Sequence, residues 1–171
     1  MKGKLNLLTK AAVLLAIAVV FQLVKMGQYV TGTGINAVLI TAVGVCGLPW
    51  AIAIGIMTPM LAVLLGVQPP PTIVLVPFIM AGNAIYVVLF KLLRRYIDYI
   101  GIIAAASAKF ILLYTAANII IGKLPAPIKL AFSFPQLITA LAGGAIALVV
   151  LKTIPRKMQN LRRSNINKIL N

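Results

Sequence analysis

Lys109 is the residue whose type and placement invite chemistry. It lies in "ASAKFILLYTAAN" (Ala106–Asn118), about ten residues from either end of an apolar run, the depth at which a helix would cross the middle of a bilayer. An ionisable group there is a functional-site hypothesis by default. Other reactive side chains are scarce. Asp98 is the only carboxylate, histidine is absent, and Cys46 is the one cysteine. Paired-carboxylate, Ser-His-Asp and His-ligated metal mechanisms therefore cannot be assembled from these residues, nor can a disulfide framework. No glycine loop ending in Lys-Ser/Thr is present to bind ATP. The expectation is a protein that is not an enzyme and uses no cofactor or metal. Proton-driven carriers place Asp, Glu or His within the membrane as a relay. Here Asp98 stands in "LLRRYIDYI", where pairing with Arg94 or Arg95 is expected. If the chain moves a solute uphill, a partner supplies the energy.

The elements that position Lys109 are apolar spans. Hydrophobic residues make up 62% of the 171 positions and charged residues 10%, with a mean hydropathy of +1.09, outside the range of soluble domains. Six spans are expected, at about Leu5–Val24, Ile35–Gly47, Trp50–Leu65, Ile73–Leu93, Tyr99–Ile121 and Pro135–Leu151. The second and third fall short of the roughly 20 residues that a crossing needs. Gly- and Pro-bearing stretches separate the spans: "GQYVTGTG", "GLP", "GVQPPPT" and "GKLPAPIKLAFSFP" are expected as loops. The basic start and long apolar run of "MKGKLNLLTKAAVLLAIAVVFQLVKM" read as a retained first helix rather than a cleaved signal. The fold class is thus an all-α integral membrane protein: one domain over residues 1–171, a compact bundle of six transmembrane helices.

The net charge of +15 reads as topology rather than nucleic-acid binding, because the basic residues flank the spans. With a cytoplasmic N-terminus, the inner side collects Lys2, Lys4, Lys10, Lys91, Arg94, Arg95, Lys152, Arg156, Lys157, Arg162, Arg163 and Lys168. Lys25, Lys123 and Lys129 remain outside, so positive-inside is satisfied with both termini cytoplasmic. The tail from about Lys152 is basic and weakly amphipathic. It either lies along the inner leaflet against anionic lipid or is solvated.

The six short spans, the basic inner loops and the run "TGTGINAVLITAVGVCGLPWAIAIGIMTPMLAVLLGVQPPPTIVLVPFIMAGNAIYVVLF" resemble the substrate-binding S component of energy-coupling factor (ECF) transporters. The resemblance covers nearly the whole chain and rests on loose patterns of Gly, Pro and Asn. It implies a cell-membrane subunit that captures a vitamin or related micronutrient from outside. That subunit docks onto a transmembrane T component carrying two ATPases and releases its cargo inside. A metal cargo is disfavoured, since nickel and cobalt members share an N-terminal His-containing segment that this sequence lacks. The resemblance also implies docking through small residues of the first helix, here Ala12 and Ala16 in "AAVLLAIA", four apart on one face. Packing within the bundle is the alternative for that pair, and is preferred for "ALAGGAIA" (Ala140–Ala147).

Solute contacts are implied in the outer helix halves and loops. "GQYVTGTGIN" offers Gln28, Tyr29, Thr31, Thr33 and Asn36 as a lid or as an ordinary connection, and "VQPPPT" offers a stiff rim. Asn83 and Tyr86 share a face of the fourth helix, and an Asn at that depth must contact solute or another helix. Tyr114 and Asn118 form a second pair on the fifth helix. Lys109 conflicts with that pair: at 100° per residue it shares a face with Ala105, Ala106, Leu113 and Ala116, whereas Tyr114 and Asn118 lie about 140° and 180° away. Its side chain should also lean toward the helix N-terminus, away from an outer site. Three readings stand: a counter-charge for an anionic, carboxylate-bearing solute, which is favoured; a lysine bonded to carbonyls of the bundle; and a lysine snorkelling inward or meeting the partner. Beyond solute capture, the other functions to weigh are a structural or assembly subunit of the membrane and a stand-alone facilitator.

Overall fold

Apolar runs interrupted by glycine and proline fold into helices joined by tight reversals. The computed structural model describes residues 2–24, 26–120 and 123–153; Lys25 and the basic tail beyond Thr153 lie outside them. The described residues form α1 (Lys2–Leu23), α2 (Gly27–Val45), α3 (Leu48–Leu64), α4 (Val76–Leu93), α5 (Asp98–Thr115), a six-residue α6 (Ala126–Ala131) and α7 (Phe134–Thr153). A 3₁₀ turn, Pro70–Leu75, leads into α4, and a π segment, Ala116–Ile120, extends α5. Strands are absent among the described residues. Gly47, at φ 98°, reverses the chain between α2 and α3 in a conformation that a Cβ would strain.

Five stretches, Leu5–Leu23, Gly27–Val45, Pro70–Leu93, Asp98–Ile119 and Ala126–Thr153, are long and apolar enough to cross a membrane, the pattern of a multi-pass membrane protein. The sixth, α3, has 17 residues and rises about 26 Å, a little less than the hydrocarbon thickness. Its shortness agrees with the sequence. The shortness expected of the second span is corrected: "GQYVTGTG" is helical, and α2 runs for 19 residues from Gly27. Isolated glycines disfavour a helix by about 1 kcal/mol each, but here they admit close neighbours. A Cβ on Gly34 would stand 2.6 Å from the Phe21 ring, and one on Gly32 would stand 3.0 Å from Thr139 Oγ1. Packing thus recruits a segment whose local preference is for a turn.

The main core joins all six long helices around Leu39, Val43, Ile54, Tyr86, Phe90 and Leu148. A smaller cluster of Leu75, Leu113, Ala116, Ala117 and Phe132 closes the bundle near α6. α6 also corrects the reading of "GKLPAPIKLAFSFP" as loop throughout. The two ends of the bundle differ in charge. Lys91, Arg94, Arg95 and Lys152 gather where α4 and α7 end and α5 begins. There the sole carboxylate, Asp98, pairs with Arg94 at 3.6 Å. The opposite end carries the α1–α2 and α3–α4 connections and α6.

Candidate binding site

Lys109 is only 4% exposed. Its helix face is closed by Ala105, Ala106, Leu113 and Ala116, all fully buried, as the 100° periodicity requires. The Nζ donates to Asn36 Oδ1 at 2.6 Å and to Asn83 Oδ1 at 2.8 Å, and stands 5.3 Å from the centre of the Tyr86 ring. These neighbours offer dipoles and a π face but no negative charge. Asp98 is eleven residues earlier on the same helix, roughly 16 Å along its axis, and is occupied by Arg94. Among the described residues no carboxylate accompanies the buried ammonium.

Each partner is held by a distinct backbone device. Pro59 lies inside α3 and has no N–H, so the Gly55 carbonyl four residues before it loses its helical donor. Asn83 Nδ2 replaces that donor at 2.8 Å. Because a carbonyl only accepts, the Asn83 carboxamide must present its oxygen to Lys109. Gly55 also permits the approach, since a Cβ there would stand 3.1 Å from Asn83 Cβ. On the other side Gly143 of α7 lies under Asn36; a Cβ on it would stand 2.6 Å from the Thr33 carbonyl oxygen and 2.7 Å from Asn36 Cβ. Tyr86 donates its hydroxyl to the Ala140 carbonyl at 2.7 Å, which fixes the ring beside Lys109.

A cavity of about 390 Å³ opens from this cluster toward the end of the bundle that carries the α1–α2 and α3–α4 connections, within the range of small-molecule sites. Gln22 of α1, Thr31 and Asn36 of α2, Thr58 of α3, Asn83 and Lys109 supply its polar wall, with Gln28, Gln68, Pro69 and Gln136 nearer the mouth. None of its lining residues is an Asp or Glu. Three of the residues singled out in the sequence, Lys109, Asn83 and Asn36, meet on this wall. The stiff "VQPPPT" segment borders the cavity through Val67, Gln68 and Pro69.

Tyr86 does not line the cavity; it stands behind the lysine with its hydroxyl spent on α7. Tyr114 and Asn118 are corrected as well. Tyr114 is 42% exposed and packs its ring on Phe110, while Asn118 Nδ2 donates to the Tyr114 carbonyl at 3.0 Å. They occupy the opposite face of α5, so the conflict seen in the helical wheel resolves in favour of Lys109. Thr33 and Tyr29, which also belong to the supposed loop, face a separate apolar groove between α1, α2 and α7. The sequence reading missed Gln22, Thr58 and Gln136. The signal for Gln22 was available, because a carboxamide inside "LLAIAVVFQLV" has the same burial problem as Asn83.

The small residues divide cleanly. Ala140, Gly143, Gly144 and Ala147 are buried in internal packing. On α1, Ala11 and Ala18 are buried, whereas Ala12 and Ala16 are exposed beside the exposed Val13, Ile17 and Val20. No known protein family, curated protein or solved structure matches the chain.

Proposed function

We propose that the chain is the solute-capturing membrane subunit of an importer, of the ECF S-component kind, and that its solute carries a carboxylate. The observation that supports this reading best is Lys109: a buried ammonium without an anionic partner, on the wall of a cavity of ligand size. Two of its three N–H donors are used by Asn36 and Asn83, which leaves one for a bound anion. Positive-inside assigns the Lys91, Arg94, Arg95 and Lys152 end to the cytoplasm. The cavity mouth then faces outward, as import across the cell membrane requires. Uphill movement falls to a T component with two ATPases, for which the exposed Ala12 and Ala16 on α1 offer a close-approach face. A vitamin or vitamin precursor is the solute class.

The two carboxamide bonds also fit a second reading, in which Lys109 braces α2, α4 and α5 and the protein is a structural or assembly subunit. One experiment separates them. The full chain is purified in detergent beside its Lys109→Met variant, and small molecules released by denaturation are identified by mass spectrometry. The expected result is a carboxylate-bearing compound at near-stoichiometric yield from the parent and strongly depleted from the variant. A parent that releases no enriched compound, or a variant that retains it fully, overturns the capture reading.

A further inference from the structure

Among the described residues, Gln22 is the one buried side chain with a polar atom that lacks a hydrogen-bond partner. It is 8% exposed. Its Nε2 donates to the Thr58 carbonyl at 3.2 Å, while its Oε1 is buried without any hydrogen bond. The orientation follows from Thr58, whose carbonyl can only accept and so holds the NH₂ side of the carboxamide. Buried carbonyl oxygens in this condition are uncommon and costly, and Gln22 lines the same cavity as Lys109. The position also resembles that of Asn83 at the far end of the wall. Both carboxamides are anchored on α3 carbonyls, Gly55 and Thr58, one turn apart. From there one side chain presents its oxygen to Lys109 and the other presents its oxygen to no group among the described residues.

We infer that Gln22 is the second recognition point of the cavity, and that its solute carries a carboxylate at one end and a neutral hydrogen-bond donor, a hydroxyl or amide N–H, at the other. This rests on the capture reading and narrows it. The donor is neutral because no Asp or Glu lines the cavity to receive a cationic end. Three residues of α3 rise about 4.5 Å, and adding two hydrogen-bond lengths of about 2.9 Å each puts the Lys109 and Gln22 contact points on the order of 10 Å apart. A hydroxy- or amido-carboxylate with a short linker between its ends satisfies both.

The test uses a ladder of straight-chain ω-hydroxycarboxylates of roughly three to eight carbons, which spans that separation, each paired with the alkanoate of equal heavy-atom count. Binding to the full chain in detergent is measured by calorimetry for the parent, Gln22→Leu, Gln22→Met and Lys109→Met, with each variant's folding checked by its melting temperature. Expected is a preference for the hydroxy acid of about tenfold or more at one or two chain lengths, since a polar site left unpaired rejects the analogue that lacks the donor. Gln22→Leu and Gln22→Met should erase the preference while still binding the alkanoate, and Lys109→Met should weaken both acids. If acids bind through Lys109 with no hydroxyl preference, or if the preference survives both Gln22 substitutions, a water pairs Gln22 and the inference falls while the capture reading stands. If no acid binds the parent at any length, both fall.

Discussion

Lys109 is held by oxygen dipoles that favour the ammonium without neutralising it, and on the capture reading a bound carboxylate would complement it. Removing the charge while keeping the apolar stem isolates that role, because methionine fills much of the same volume. Lys109→Met is expected to remain folded and to lose about a hundredfold or more in affinity for a carboxylate ligand, equivalent to about 2.8 kcal/mol. The corresponding neutral amide should discriminate far less between parent and variant. Calorimetry on the purified pair checks this, and equal carboxylate affinity in the two proteins would return Lys109 to the role of a brace. Asn83 matters for the same reason at one remove. Its oxygen faces Lys109 because the proline of α3 frees the Gly55 carbonyl for its nitrogen.

Helices α2 and α7 approach closely enough to place Asn36 only because Gly143 has no side chain. A methyl group there would stand 2.6 Å from the Thr33 carbonyl oxygen, so Gly143→Ala should separate the helices, destabilise the fold by about 1–3 kcal/mol and weaken ligand binding with it. The exposed alanines of α1 should behave in the opposite way. Trp at Ala12 and Ala16 meets no neighbour within the bundle, so stability should change by no more than about 0.5 kcal/mol and ligand affinity should hold, while capture by a T component with its ATPases is lost. Thermal unfolding, calorimetry and a pull-down on the same three proteins distinguish the two surfaces. Equal loss of stability and association in the α1 variants would place Ala12 and Ala16 in internal packing.

At the scale of the whole molecule, the proposed capture function leaves the energy of uptake to a partner. Its sequence holds one carboxylate, no histidine and no phosphate-binding loop, and the one carboxylate lies at the end of the bundle remote from the cavity, paired with Arg94. Vesicles containing only this chain should bind ligand without concentrating it, with or without ATP or a proton gradient. Uptake above the external concentration in such vesicles would refute dependence on a partner.

The sequence by itself determined the features that depend on local periodicity and composition. These are the helical class, the positions of most spans, the shortness of α3 and the protein-facing side of Lys109, whose neighbours at helical spacing are alanine and leucine. The tertiary structure decided which polar groups meet. Asn36 and Asn83 are 73 and 26 residues from Lys109, and no periodicity within one helix relates them; their register depends on close approaches at Gly55 and Gly143 and on the carbonyl freed by Pro59. The same contacts overrode local preference in α2, where glycines that read as a flexible loop became the small residues of a packed helix. They also left Tyr114 and Asn118 facing outward, because one face of α5 cannot line the cavity and present its opposite side to it. Gln22 was visible as a lone carboxamide in an apolar run, but only the fold shows that its nitrogen is satisfied by α3 while its oxygen is not.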